Sequence, residues 1–276
     1  MTFELEQWLA SKARNPVLDR LARRLPVTAF GVRGARTAEI ARIARAAGND
    51  AIWIDLEHSA MSIDTAAQIC AAALDIGLVP LARVPEKDYG VIGRLLDGGA
   101  LGIIAPRIET AQQAAEIAAA CRFPPRGQRS AIATLPHLEL RRVPAARLNE
   151  TLNQASLVKV LIETPLGLQN LDAIASLPEV DLIGIGVNDL TAELGVPGEA
   201  AHPEVRAALE RAIQVCKRLR KPLAIGGIAD AAYAAELIEL GAAPFFFTGI
   251  DTDVLLAAAQ ERVRLALASY NLQLSS

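Results

Sequence analysis

The amino-acid sequence predicts a (β/α)8 barrel preceded by an N-terminal helical segment. Three observations predict it. Eight short apolar runs alternate with longer, Ala-rich helical patterns along the 276 residues. The runs are nearly continuous in hydrophobicity, as parallel strands buried on both faces are. Several helical patterns end in glycine just before the next run, at Gly48, Gly77, Gly98, Gly99 and Gly241, the expected punctuation of helix-to-strand connections. Eight strand–helix units fit the usual size of such a barrel. A doubly wound open sheet is the competing architecture. It favours a G-x-G-x-x-G turn after the first strand, and Gly31-Val32-Arg33-Gly34 does not match that pattern.

Taken in order, residues 1–25 place Leu5, Trp8, Leu9, Leu18, Leu21 and Leu25 on one helical face, and Pro16 and Pro26 break the segment. Strands are predicted at 27–32, 51–55, 79–84, 102–105, 157–163, 182–186, 223–225 and 244–248. Helices are predicted at 37–47, 63–76, 89–98, 111–121, 166–177, 203–218 and 231–240, and a last helix at 254–268 follows the final strand directly. Residues 123–151 resist assignment. Long irregular segments in compact domains usually serve function or subunit contact. No low-complexity linker or charge block divides the chain, so 1–276 is expected to form one barrel domain with a helical extension at 1–25.

Apolar residues make up 52% of the chain and aromatic ones only 4%, so the core must be largely aliphatic. A formal charge of −3 argues against nucleic acid or an anionic membrane as partner. Cys70, Cys121 and Cys216 are few, odd in number and widely spaced, which fits neither a disulfide framework nor a thiolate zinc site but suits a reducing cytosol. No secretory signal and no membrane span is visible, and a cytoplasmic location is expected.

In a barrel the chemistry sits at the C-terminal ends of the strands. There the sequence offers Asp55-Leu56-Glu57-His58, Arg83, Glu163-Thr164 and Gly186-Val187-Asn188-Asp189. Glu163 and Asp189, oxygen donors on separate strands, can hold a hard divalent ion and leave positions for water and substrate. Arg83 suits an anionic substrate or a developing enolate. His58 can move protons near neutral pH. Each residue has a plainer reading: Asp189 as a helix cap, Glu163 and Arg83 as halves of structural ion pairs, His58 as a structural imidazole, Asp97 as a solvated helix-end charge. His137 and His202 have no comparable setting.

The chain resembles the HpcH/HpaI aldolases, the metal-dependent class II pyruvate aldolases. The resemblance rests on the order and spacing of Ile54-Asp55-Leu56-Glu57-His58, Arg83-Val84-Pro85, the segment at 95–100, the segment at 123–129, Ile162-Glu163-Thr164 and Gly186-Val187-Asn188-Asp189-Leu190-Thr191. It implies that Glu163 and Asp189 ligate a divalent ion such as Mg2+, Mn2+ or Co2+. It implies that Arg83 faces the ketoacid carbonyl oxygen and that His58 is the general acid/base. Asp97 would partner this histidine across a subunit boundary, and Asp55 is a further acid of the site. The backbone amides at Gly186 and Asn188 would bind the substrate carboxylate. A hexamer built from dimers with exchanged C-terminal helices is implied as well.

Three positions depart from the family's usual pattern: Leu161 where Gln is common, Ser130 where Gly is common, and Val187 where Pro is frequent. The expected activity is reversible cleavage of a 4-hydroxy-2-oxoacid to pyruvate and an aldehyde. An oxaloacetate-type decarboxylase, an acyl-CoA lyase akin to the citrate lyase β-subunit, and a non-catalytic barrel are the alternatives.

Overall fold

The computed structural model describes residues 3–274. Eight parallel strands form a nearly closed barrel of the (β/α)8 type: β1 (Val27–Val32), β2 (Ala51–Asp55), β3 (Val79–Arg83), β4 (Gly102–Ala105), β5 (Leu157–Ile162), β6 (Leu182–Gly186), β7 (Leu223–Gly226) and β8 (Phe245–Ile250). The hydrogen-bonded order runs β7-β6-β5-β4-β3-β2-β1-β8. Between β7 and β8 the ladder reduces to the Ala243 N–H donating to the Leu223 carbonyl at 2.7 Å.

Two apolar shells explain the near-continuous hydrophobicity of the strands. Outward residues such as Ile52, Ile54, Val158, Val160 and Ile162 pack under the helices. Inward residues, among them Ala51, Trp53, Leu157, Leu161 and Phe245, fill the interior. Both faces are buried, so period-2 alternation is invisible in the sequence.

The helices are α1 (Phe3–Lys12), α2 (Pro16–Ala22), α3 (Glu39–Ala46), α4 (Ile63–Asp75), α5 (Ile92–Asp97), α6 (Ala111–Cys121), α7 (Ala145–Ala155), α8 (Pro165–Gln169), α9 (Leu171–Ala175), α10 (Val187–Glu193), α11 (Pro203–Arg218), α12 (Ala231–Leu240) and α13 (Asp251–Leu274). The predicted N-terminal segment splits at Asn15, whose side chain accepts from the Val17 N–H at 3.0 Å and donates to the Ala155 carbonyl at 2.8 Å. From there α2 plugs the lower end of the barrel with Val17 and Leu21. By contrast α1 packs sideways, Leu9 joining Phe123, Leu135, Leu138, Leu148 and Leu152. The unassigned stretch 123–151 is thus a second small core, and α7, absent from the sequence reading, begins inside it. The single helix expected at 166–177 is two, broken at Asn170, whose side chain donates to the Glu109 carbonyl at 2.8 Å.

The last helix, expected at 254–268, is present and longer, from Asp251 to Leu274. α13 follows β8 directly, but its side chains from Thr252 to Tyr270 are all exposed, Leu255, Leu256, Val263 and Leu267 included. The outward Phe246 of β8 stays 41% exposed, facing a cavity it shares with Ala234, Leu237 and Ile238 of α12. Among the described residues no helix is long and apolar enough to cross a membrane. All three cysteines are buried and unpaired.

Candidate active site

A cavity of about 400 Å³ opens at the C-terminal ends of the strands. Arg33, Trp53, His58, Arg83, Glu163 and Asp189 are among the residues that line it. The fold therefore gathers four of the sequence-predicted side chains, and Gly186 and Asn188 line the same space.

Asp55 organises one wall. It ends β2 pointing inward, with a fully buried carboxylate. Its Oδ1 accepts from Arg83 Nε at 3.0 Å and from the backbone N–H groups of Glu57 and His58 at 3.1 and 3.2 Å. Its Oδ2 accepts from Arg83 Nη2 at 2.7 Å and Arg33 Nε at 3.2 Å. Burial alone would raise its pKa, but the bond to and charge of Arg83, with the His58 N–H and Arg33, hold it below the ordinary carboxylate value. A buried carboxylate satisfied in this way is a rigid anchor, and its forked partner Arg83 is aimed by it. Arg83 also reaches Glu57, Nη1 to Oε2, at 3.1 Å, and lies over the Trp53 ring with its carbon 5.1 Å from the centroid.

The opposite wall is acidic. Glu163 follows β5 with only 3% exposure. Its Oε2 accepts from the Arg107 N–H at 2.8 Å. Burial, with the charges of Asp189 and Glu57, pushes its pKa up to about 7 against the opposing Arg107 N–H and Arg83. Glu57 is likewise raised, by burial first and then by Asp55, Asp189 and Glu86, with Arg83 opposing. Carboxylates that repel one another inside a cavity are the electrostatic counterpart of a cation. Among the described residues no three His, Cys, Asp or Glu side chains form a ready-made metal cluster. The two carboxylates that line the cavity, Glu163 and Asp189, are oxygen donors of the kind a hard divalent cation would take.

The backbone around this wall is specialised. An added Cβ at Gly186 would sit 2.3 Å from Glu163 Oε1, so only glycine allows that carboxylate its position. Gly186 also starts α10 with no side-chain cap, which leaves the first amides of the helix, through Asn188 and Asp189, available to an anion. Arg107 holds Glu163 from a left-handed conformation, φ 49°. Its own side chain is tied to Glu193 at 2.7 Å and Glu86 at 3.7 Å, contacts that hold the strained turn.

His58 is 54% exposed at the rim, its Nε2 3.7 Å from Glu57 Oε2. Asp97 is elsewhere: it ends α5 at the lower side of the barrel and accepts from Arg129 Nη2 at 2.8 Å. Within one chain it does not approach His58. Sequence reasoning quoted Glu57 without giving it a role and missed Arg33, Arg107 and Lys159. Lys159 carried a signal, since it lies four residues before Glu163 and shares its side of the strand.

Acidic side chains beside a clamped arginine line a cavity at the top of a (β/α)8 barrel, the face on which such barrels carry their active sites. The chain belongs to the HpcH/HpaI aldolase/citrate lyase family, whose model matches residues 32–258. It is 38% identical over 216 residues to a 4-hydroxy-4-methyl-2-oxoglutarate aldolase of Chaetomium globosum, covering 78% of this chain and 80% of that one. It is 36% identical over 229 residues to a pyruvate aldolase of Rhizobium etli, covering 83% and 86%. The structure of an HpcH/HpaI aldolase from Desulfitobacterium hafniense superposes with a TM-score of 0.83 at 25% identity, covering 90% of this chain and 95% of that one. The expectation of a carbon–carbon lyase of the pyruvate-aldolase class agrees with these relatives.

Proposed function

We propose that the protein is a divalent-metal-dependent class II aldolase that reversibly cleaves a 4-hydroxy-2-oxoacid to pyruvate and a carbonyl compound. The observation that carries this reading is that Glu163, only 3% exposed, shares one cavity with Asp189, Arg83 and His58. Glu163 and Asp189 would hold Mg2+, Mn2+ or Co2+. When bound, the cation supplies Lewis-acid polarisation of the 2-oxo group.

The chain's own residues do the rest. The uncapped amides at Gly186–Asp189 receive the substrate carboxylate. Arg83, fixed by Asp55, donates to the C2 oxygen and stabilises the negative charge that develops there as the C3–C4 bond breaks. His58, at the rim beside Glu57, removes the C4-hydroxyl proton so that the departing fragment leaves as a carbonyl. Arg33 adds a second guanidinium over the same cavity, its Nη atoms without a hydrogen-bond partner among the described residues. That favours substrates whose leaving fragment itself carries a carboxylate. A screen of 4-hydroxy-2-oxoacids for pyruvate release, with and without each metal, tests the reading. Full activity after chelation, or no release from any substrate with any metal, refutes it.

We further infer a homo-oligomer, a trimer of dimers forming a hexamer, in the cytoplasm. Supporting it, α13 presents exposed Leu255, Leu256, Val263 and Leu267 while, among the described residues, no helix covers Phe246 and the α12 face beside β8. Laying one copy's α13 on the other's β8 buries both surfaces. Asp97 reaching a neighbour's His58 belongs to the same assembly.

A further inference from the structure

The cavity residues are laid out in strand order around the barrel mouth. Gly186 ends β6 with Asn188 and Asp189 after it, Glu163 follows β5, Arg83 ends β3, His58 follows β2 and Arg33 follows β1. In this eight-stranded order β1 stands across the mouth from β5. A 2-oxo acid whose head lies against Glu163 and the Gly186–Asp189 amides therefore extends its C4 substituent past His58 toward Arg33. Arg33 commits only Nε, to Asp55 Oδ2 at 3.2 Å, and both Nη atoms lack a hydrogen-bond partner among the described residues.

The root of the last helix fixes Arg33 in place. Asp251, the first residue of α13, sends its carboxylate back into the loop after β1. Its Oδ1 accepts from the N–H groups of Arg33 at 2.9 Å and Gly34 at 3.0 Å, and its Oδ2 accepts from Gly34 at 3.0 Å and Ala35 at 2.6 Å. Oδ1 also accepts from the Thr252 N–H at 2.9 Å. Burial alone would raise the carboxyl pKa, but these amides hold it below the ordinary value. The loop lies so close to the helix root that a Cβ at Gly34 would sit 2.7 Å from Thr252 Cγ2. From its other side, Arg36 Nη1 donates to the carbonyls of Arg33 and Gly34 at 2.8 Å each and of Ala35 at 3.1 Å. Consecutive amides converging on one carboxylate form an anion nest, here filled from within the chain. A helix cap serves the amides of its own first turn. Asp251 serves one of those and three of a loop from the far end of the sequence, so capping does not account for it.

We propose that Asp251 is a positioning residue for substrate selection: by fixing the loop after β1 it aims the free edge of Arg33 at a second carboxylate on the leaving fragment. This rests on the reading of the cavity as a 4-hydroxy-2-oxoacid site and narrows the substrate to a 4-hydroxy-2-oxo diacid. A planar guanidinium with two unpaired Nη atoms matches the two oxygens of a carboxylate. On an untethered loop the same arginine would lose more freedom on meeting that anion and hold it less well. Asp253, two residues on, lines the same cavity, accepts from the Thr252 hydroxyl at 3.2 Å and forms no pair with Arg33. α13 is also the helix inferred to be exchanged between copies, so its seating and the aim of Arg33 meet in one residue.

The test is a selectivity ratio. Pyruvate release is measured with Mn2+ on the full-length protein, from a 4-hydroxy-2-oxo diacid and from the same compound with its far carboxylate replaced by a primary amide. The unaltered protein should prefer the diacid by roughly 10-fold or more in kcat/KM, the effect expected of a charge-assisted pair. Asp251→Asn, of the same shape, should bring that preference close to unity by raising KM for the diacid with little change in kcat. Asp251→Ala, which leaves the loop amides to water, should do the same, and it decides the matter if an asparagine N–H among these donors prevents folding. Combined with Arg33→Gln, neither should lower the preference further, because the effect passes through that guanidinium. A preference unchanged in the Asp251 variants, an equal loss on diacid and amide, or a further fall in the double variant overturns the proposal. No pyruvate from either substrate with the unaltered protein strikes the aldolase reading and this proposal with it. Pyruvate from both without a diacid preference strikes this proposal alone.

Discussion

Replacing Glu163 by Gln should make the metal-free protein more stable and the metal-loaded protein less so. The carboxyl titrates near 7 in the fold against an ordinary 4.5, so the native state binds a proton that the unfolded chain has already released between those values. Stability in the absence of metal therefore falls as pH rises from about 4.5 to about 7, and the whole deficit is present above that. At ~1.4 kcal/mol per pH unit the displacement corresponds to ~3 kcal/mol. Glu163→Gln keeps the shape and the bond from the Arg107 N–H but removes the charge. For a chain of this length ~3 kcal/mol is on the order of 5–10 °C in melting temperature. The assay is thermal unfolding of both proteins, with chelator and with excess Mn2+, between pH 5 and pH 8. With chelator the variant should melt higher at pH 8, and the two curves should converge toward pH 5. With Mn2+ only the native sequence should gain stability. Equal melting of the two chelated proteins across that range, or an equal gain from Mn2+, would refute the account of this wall as repelling carboxylates that await a cation.

Other substitutions probe the same geometry. Gly186→Ala should displace Glu163 Oε1, 2.3 Å from the new Cβ, and weaken Mn2+ binding by roughly 10–100-fold, read by calorimetric titration. Arg83→Ala should abolish pyruvate release and also cost ~3–5 kcal/mol in denaturant unfolding, because it strips buried Asp55 of its forked partner. His137, buried against the Ala100 carbonyl at 2.9 Å, is lowered to about 4 by burial. The unfolded chain then binds the extra proton first, so stability should fall as pH drops from about 6.5 to about 4, and His137→Gln should flatten that limb of the unfolding profile. Removing α13 should reduce the size of the particle in sedimentation while leaving the far-UV spectrum of the barrel; an unchanged particle size would sink the exchanged-helix assembly.

The parts of this molecule that the sequence disclosed are those in which a residue's role is local. Strands such as β2, β4 and β5 appeared as apolar runs because both of their faces are buried, and Gly48, Gly77, Gly99 and Gly241 marked helix ends because each adopts a positive φ. Glu163 stood out because a charge ending an apolar strand needs a reason, and the fold places it in one cavity with Asp189. What escaped depends on partners far along the chain. Glu57 has no role of its own in the sequence until Arg83, a strand away, is seen to bind it. Arg107 matters through a left-handed turn that no side-chain pattern encodes. Asp97 was named from a motif, and in the single chain it belongs to Arg129, so its part in the site turns on the assembly. Lys159 is the instructive omission. Parity along β5 puts it on the same side as Glu163, so the inward position of one implies that of the other. The sequence did not disclose that Gly184 clears its path and that two phenylalanines, not a carboxylate, receive it. A charged residue inside a buried strand that shares parity with an acid at the strand's end belongs with that acid, because the fold places both in one interior.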